Sequence, residues 1–196
     1  MPPRSLRPSL RPSLRIVGGT ARGRRLVAPR GGGTRPTSDR VREAIFDMLV
    51  SLSAAGGTGL AGAVVADLFA GTGAMGIEAL SRGAASATFV ESDRTAAAAV
   101  ERNLEITGLG PGRVLCMDVM GYLRARPAAF DAGFDIVFCD PPYSFDRWPD
   151  LLDAVPGRLV VAESGAPLDG SGGRPVLRDR RYGSTFVALL GPRPGD

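Results

Sequence analysis

The sharpest chemical signal in the chain is the tetrapeptide Asp140-Pro141-Pro142-Tyr143. Two consecutive prolines fix the backbone and remove two N–H donors, leaving carbonyl oxygens as acceptors. A carboxylate and a free carbonyl side by side can accept the two protons of an amine. An exocyclic amine on a nucleobase is a poor nucleophile, because its lone pair is delocalised into the ring. With Asp140 and the Pro141 carbonyl holding its protons, such a nitrogen can pyramidalise and expose that lone pair. Tyr143 can stack on the base, a contact worth about 1–3 kcal/mol. Much of the rate would then come from positioning and from electrostatics on the developing aminium. Asp140, Pro141, Pro142 and Tyr143 are therefore the candidate catalytic residues.

A second constellation lies upstream. Asp67 is followed by a glycine loop with Gly71, Gly73 and Gly76, and Glu91 stands twenty positions after Gly71. The spacing matches the dinucleotide fingerprint, so a nicotinamide-dependent oxidoreductase has to be weighed. A carboxylate at 67 argues against it, since a pyrophosphate wants N–H groups and positive charge. S-adenosylmethionine presents an ammonium and a sulfonium, which suit a nearby carboxylate, and glycines let backbone approach it closely. Glu91 can accept from two ribose hydroxyls, and Asp118 from an adenine amino group. Asp67, Phe69, Gly71, Gly73, Glu91 and Asp118 are the candidate cofactor residues, for S-adenosyl-L-methionine.

These residues are useful only if the elements between them bring them to one edge. Apolar runs at 63–68, 87–90, 114–117, 134–139 and 158–162 predict strands. Helices are predicted at 74–82, 94–107, 119–126 and 148–154, with Gly83 and Gly108 as stops. Such a βαβ series makes a parallel sheet covered on both faces. Ligands of open α/β sheets bind beyond the carboxyl ends of the strands, where Asp67, Glu91, Asp118 and Asp140 all fall. Residues 175–180 and 184–190 flank Tyr182-Gly183 and read as a terminal hairpin. One antiparallel strand is expected at the sheet edge, in a seven-stranded α/β sheet. Before the sheet, residues 15–28 read as a small hairpin with arginines at its turn. A linker follows at 29–33, then a helix capped by Ser38 or Asp39 that carries Val41, Ala44, Ile45, Met48 and Leu49 on one face. Residues 53–62 are expected as a loop.

Charge is divided along the 196 residues. Every base is arginine; residues 1–42 hold eleven of them against Asp39 alone, whereas residues 43–196 hold thirteen against nineteen acids. A cationic arm on a mildly acidic body suits a polyanion. The Pro- and Arg-rich residues 1–14 are expected to be a disordered extension, residues 15–52 an RNA-binding hairpin and helix, and residues 53–196 the catalytic domain. No apolar run reaches the roughly 20 residues that span a bilayer. Cys116 and Cys139 form no C-x-x-C and find no histidine, so buried, reduced thiols and no metal are expected.

These motifs together resemble class I amino-methyltransferases of Rossmann-like fold. The chain more closely resembles the bacterial RsmD family, on residues 15–19, 22–26, 34–46, the glycine loop with 80–84, residues 134–143, and Arg181-Tyr182-Gly183. The resemblance covers residues 15–190. It implies methylation of the N2 amine of a guanine in 16S ribosomal RNA, within a small-subunit assembly particle in the cytoplasm. It also implies an arm that meets RNA and closes over the cofactor. Arg22, Arg24, Arg25, Arg35 and Arg40 are the phosphate-contact candidates; Arg15, Thr37, Arg181 and Tyr182 join them as RNA-binding candidates. Arg42 could equally pair with Glu43 or Asp47. The Asp-Pro-Pro-Tyr loop is shared with DNA amino-methyltransferases, which usually carry a target-recognition insertion that this chain has no room for. A cytosine-C5 enzyme would need a mobile nucleophilic cysteine, and Cys139 belongs to a strand. A non-catalytic RNA-binding protein would not need the intact loop at 140–143.

Overall fold

A computed structural model describes residues 14–28, 38–125, 133–168, 170 and 172–194. Arg35 and Thr37 lie outside these residues, as do residues 1–13 and the linker at 29–33.

Seven strands form one sheet in the order β3-β2-β1-β4-β5-β7-β6. They are β1 (Val64–Leu68), β2 (Ser86–Glu91), β3 (Gly112–Cys116), β4 (Ile136–Cys139), β5 (Leu159–Ser164), β6 (Val176–Tyr182) and β7 (Thr185–Leu190). β1 to β5 pair in parallel, and β7 runs antiparallel to both β5 and β6. The antiparallel strand expected at the edge therefore sits one place inside it. β7 is the apolar member of the hairpin and β6 the arginine-rich one, so burial favours β7 next to β5. The turn moves too: Tyr182 is the last residue of β6 rather than part of the turn.

β4 and β5 are buried along their whole length, as a parallel sheet between two layers requires. Alternate residues feed opposite cores. Val65, Phe138 and Val161 face one cluster with Ile45, Phe46, Ile77 and Val100. Ala66, Val137 and Val160 face the other with Tyr122, Leu123, Leu151 and Leu152. The first layer is α1 (Asp39–Ala54), α2 (Ala74–Ser81) and α3 (Arg94–Thr107); the second is α4 (Val119–Ala125) and α5 (Trp148–Ala154). Ser38 caps α1 as expected, its side chain accepting from Val41 N. The helix then runs into the expected loop, to Ala54. No helix among the described residues is long and apolar enough to cross a membrane.

The N-terminal segment forms the expected small hairpin in minimal form: Ile16 N donates to the Arg24 carbonyl and Gly23 N to the Ile16 carbonyl. One isolated bridge joins Arg15 to Arg25. The hairpin is also held by the helix beneath it. Thr20 N donates to the Ser81 carbonyl, Ala21 N to Ser81 Oγ, and Ser81 Oγ to the Gly18 carbonyl. Leu14, expected to belong to the extension, is buried and its carbonyl accepts from Leu26 N.

A further anchor is Glu78, the one charged residue of α2, which is fully buried. Its Oε2 accepts from Val17 N at 2.8 Å and its Oε1 from Arg82 Nε at 2.7 Å. Arg42 Nε lies 3.7 Å from Oε2, both side chains being wholly buried. Arg42 thus pairs with Glu78 and, at 2.8 Å, with Asp39, and donates to the Arg15 carbonyl. The expected partners Glu43 and Asp47 lie elsewhere because residue 42 is on the buried face of α1. Cys116 is a second correction: it is exposed, since β3 is an uncovered edge strand, whereas Cys139 is buried in β4.

Removing one partner of a buried ion pair strands the other charge in a poor dielectric. Glu78→Gln should cost about 3–5 kcal/mol of stability in urea unfolding. Replacing the pair by Arg42→Met with Glu78→Leu should recover much of that loss. A Glu78→Gln variant within about 1 kcal/mol of wild type would show the pair to be dispensable.

Candidate active site

The acids expected at one edge converge there, each held in a different way. Asp67 is the fourth residue of β1 and is buried, not standing at the loop mouth as an open anion. Its Oδ2 accepts from Gly76 N at 2.8 Å. Gly76 is the third residue of α2, whose own N-cap Gly73 has no side-chain cap. Asp67 therefore takes one of the orphan N–H groups that a phosphate would use. This is a better structural argument against a pyrophosphate than charge alone. Burial raises the Asp67 pKa to about 8; the Gly76 N–H opposes this, and the charges of Asp140 and Glu91 add to it.

Between Asp67 and the helix, the chain makes a tight turn. Phe69 has φ 63°, the one positive φ among described non-glycine residues. Such a conformation costs on the order of 1–3 kcal/mol and persists where surroundings enforce it. The Phe69 ring packs edge-on against Phe145 at 5.3 Å, and Phe145 against Trp148 at 5.8 Å. Gly71 follows with φ 55°, and a Cβ built on it would meet nothing within 4 Å. The turn thus presents bare backbone to open space. Gly76 is small for the opposite reason, since a Cβ there would lie 2.3 Å from the Phe89 ring.

Glu91 closes the turn from the side. Its Oε2 accepts from Gly71 N at 2.8 Å and its Oε1 from Asp93 N at 2.8 Å. A carboxylate has acceptor capacity beyond these bonds, so donors from a ligand remain possible. Asp118 is exposed at the start of α4, where Oδ2 accepts from Gly121 N at 2.7 Å. Its Oδ1 accepts no hydrogen bond among the described residues.

The second loop leaves β4 beside β1. Asp140 is half-buried, Pro141 buried, and Pro142 exposed. The Pro142 carbonyl accepts from Phe145 N at 2.8 Å, which closes the loop. The Pro141 carbonyl accepts nothing among the described residues and keeps the capacity expected of it. Tyr143 is 53% exposed, with its hydroxyl 2.9 Å from Thr185 Oγ1. A Cβ on Gly165 would sit 3.1 Å from the Tyr143 ring, so the ring lies flush against that backbone. Thr185, Gly165, Phe145 and Trp148 were not singled out from the sequence. No local spacing marks the first two, because Gly165 follows β5 and Thr185 opens β7. Cys139, next to the loop, is no nucleophile: burial pushes its thiol up, with the Asp67 charge adding to the effect.

The arginine candidates divide. Arg22, Arg25 and Arg40 are exposed. Arg24 donates from Nη1 to the Ile106 carbonyl at 2.7 Å, and Arg15 lies 3.4 Å from Asp39 with 61% of its side chain exposed. Arg181 donates to the Gly183 carbonyl and stacks over Phe186 at 5.2 Å, and Tyr182 packs half-buried against the core. The candidate residues of both loops lie at the carboxyl edge of the sheet. A cleft of about 780 Å³, lined by Phe134, Gly157, Arg158 and Pro192, opens at the opposite edge and touches none of these residues.

The raised Asp67 pKa has a definite sign in stability. Its ordinary value is about 3.9. The folded chain therefore binds more protons than the unfolded chain between about pH 4 and pH 8, and stability falls as pH rises through that window. Asp67→Asn should remove that fall. Urea unfolding of both proteins at pH 5 and pH 8 measures it; equal pH slopes would refute the buried-acid account.

Comparison with known proteins agrees with this geometry. The profile of the family described as Conserved hypothetical protein 95 matches residues 14–189. Ribosomal RNA small subunit methyltransferase D of Escherichia coli K12 is 41% identical over 130 residues, 66% of this chain and 60% of that protein. The match thus spans less than two thirds of that relative's length. YlbH of Bacillus subtilis is 35% identical over 191 residues, 92% of this chain and 100% of its own. The solved structure of yhhF from Escherichia coli superposes with a TM-score of 0.75 at 32% identity, over 92% of this chain and 98% of that one. A methyltransferase-like sheet, the two loops at its carboxyl edge and a profile match over nearly the whole chain agree: the protein belongs to the Conserved hypothetical protein 95 family, the RsmD family that its sequence resembles.

Proposed function

We propose that the protein transfers a methyl group from S-adenosyl-L-methionine to the exocyclic N2 amine of a guanine in 16S ribosomal RNA. The proposed setting is a small-subunit assembly particle in the cytoplasm. The observation that carries the reading is the convergence of Asp67, Glu91 and Asp140 around an open glycine turn, beside a loop whose Pro141 carbonyl is unbonded among the described residues. Burial is the main reason the Asp67 pKa is raised, and the charges of Asp140 and Glu91 add to it; that added repulsion is relieved by a cationic ligand and worsened by an anionic one. The name of the Escherichia coli relative, a small-subunit ribosomal RNA methyltransferase, supports the substrate class. The choice of guanine N2 rests on the family resemblance.

The residues present fit the cofactor. Backbone at Gly71 is open to close approach, Glu91 offers acceptors for the ribose, and Asp118 Oδ1 offers one for the adenine amine. S-adenosylmethionine supplies an electrophilic methyl on sulfur, and the sulfur leaves as a neutral thioether when the new carbon–nitrogen bond forms. Asp140 and the Pro141 carbonyl accept the two amine protons and localise the nitrogen lone pair. Tyr143, pinned by Thr185 and backed by Gly165, gives the base a stacking surface. The proton lost on methylation passes to Asp140 and then to solvent.

The direct test is labelled methyl transfer to RNA from a strain lacking the gene, followed by nucleoside analysis. Label in a guanine N2-methyl supports the reading; label in another base, or in DNA alone, overturns the substrate. Asp140→Ala should lower transfer by roughly 10²-fold or more. It should leave S-adenosylhomocysteine affinity nearly unchanged, because Asp140 faces the amine. Near wild-type turnover would remove Asp140 from the chemistry.

Among the exposed arginines of the arm and of the start of α1, Arg22, Arg25 and Arg40 are taken as phosphate contacts. Neutralising all three should weaken many RNAs alike and flatten the log–log salt dependence by about two units, since each single-strand phosphate left without its arginine lowers the slope by about 0.7. Affinity measured across a salt series decides it. An unchanged slope would mean that these arginines do not meet phosphate.

A further inference from the structure

Asn103 is a fully buried amide on the apolar side of α3, between Val100 and Thr107. A buried amide is costly unless its hydrogen bonds are made. Here both donors and the acceptor are engaged. Oδ1 accepts from Val27 N at 2.8 Å, while Nδ2 donates to the Val27 carbonyl at 3.0 Å and to the Thr72 carbonyl at 2.9 Å. Turning the amide over would set oxygen against two carbonyls, so only one orientation satisfies the three bonds.

The two residues it grips belong to different functional parts. Thr72 lies inside the glycine turn, between Gly71 at φ 55° and Gly73 at φ 76°. Its carbonyl direction follows any rotation of that turn. Val27 lies at the end of the basic segment, just ahead of the segment at 34–37. A second bond, Arg24 Nη1 to the Ile106 carbonyl, fastens the same segment to the same helix. The helix between them is capped at both ends, by Asp93 and by Gly108 in the left-handed conformation. Asp93 N also bonds Glu91, which holds Gly71. Val27 is 43% exposed, so its backbone, rather than its side chain, is what the interior holds.

We propose that Asn103 is a positioning residue that couples the basic arm to the glycine turn, so that cofactor binding at the turn orders the arm. This rests on the assignment of the turn to S-adenosylmethionine. A ligand on the turn fixes the Thr72 carbonyl, and Asn103 passes that restraint to the Val27 backbone. The coupling is reciprocal, so RNA on the arm steadies the turn and tightens the cofactor. Neither Asn103 nor Val27 needs to touch a reacting atom.

Amide hydrogen exchange over residues 21–28 of the full chain is the test, with and without saturating S-adenosylhomocysteine. Calorimetry records ligand affinity in parallel. In wild type the ligand should slow exchange in this stretch about five-fold or more, the lower end of ordinary couplings. Asn103→Leu should abolish the ligand response while the ligand still binds. Val27→Pro, which removes the N–H that bonds Asn103, should abolish it too, and serves if the first variant fails to fold. A plain structural staple would speed exchange in both states and keep the ratio between them. A ligand response that persists in either folded variant, or is absent from wild type despite binding, overturns the coupling alone. No binding of S-adenosylhomocysteine to wild type overturns the cofactor assignment and the coupling together.

Discussion

A single carboxylate, Glu78, holds three separate pieces of this protein to one another. It sits in the middle of α2 between Ile77 and Ala79, wholly buried from solvent. Arg42 from α1, Arg82 from the end of α2 and the Val17 backbone from the N-terminal segment supply what water would have supplied. Each partner comes from a different stretch of chain, so satisfying the charge requires all of them to be in place. Arg82 also stacks on Phe46, which packs on Phe138 of β4. The network therefore reaches from the arm to the strand that leads into Asp140. An apolar cluster of the same volume would tolerate small slides; a buried carboxylate with directed donors does not.

The same economy of donors shapes the cofactor side. A helix that begins beside a ligand needs its first N–H groups answered. In α2, Asp67 answers one of them from beneath, leaving the outer surface of the turn as bare, open backbone. The cost is a buried acid surrounded by two more, and its proton affinity rises accordingly. Phe69 shows the cost on the other side of the turn. Its left-handed backbone is kept by ring packing on Phe145, which packs in turn on Trp148; Phe145 belongs to the loop that carries Asp140. The glycine turn and the Asp-Pro-Pro-Tyr loop are thus one assembly joined by three aromatic rings.

Most elements were readable in the sequence because their signals are local. Apolar runs, glycine stops and the Ser38 cap set strand and helix positions to within a few residues, and α3 and α5 matched their expected limits. The departures have a common origin. β7 lies inside β6 because burial, a property of the finished sheet, ranks the two strands. The anchors that fasten the hairpin were not legible because they are Ser81, Glu78 and Asn103, some sixty to eighty positions away. Cys116 is exposed because β3 is an edge, which no inspection of its own apolar run reveals.

By itself the sequence determined the residue types for the chemistry and the edge at which they gather. Parallel strands in a βαβ chain put all their carboxyl ends on one side, so Asp67, Glu91, Asp118 and Asp140, at or just beyond those ends, share one edge. Only the tertiary structure decided what each one does before a ligand arrives. Asp67 caps a helix from below, Glu91 ties down a glycine, Asp118 caps α4, and the Pro141 carbonyl is left unbonded among the described residues. Spacing can bring an acid to a site. The hydrogen bonds that occupy it come from distant backbone, and their directions exist only once the layers have packed.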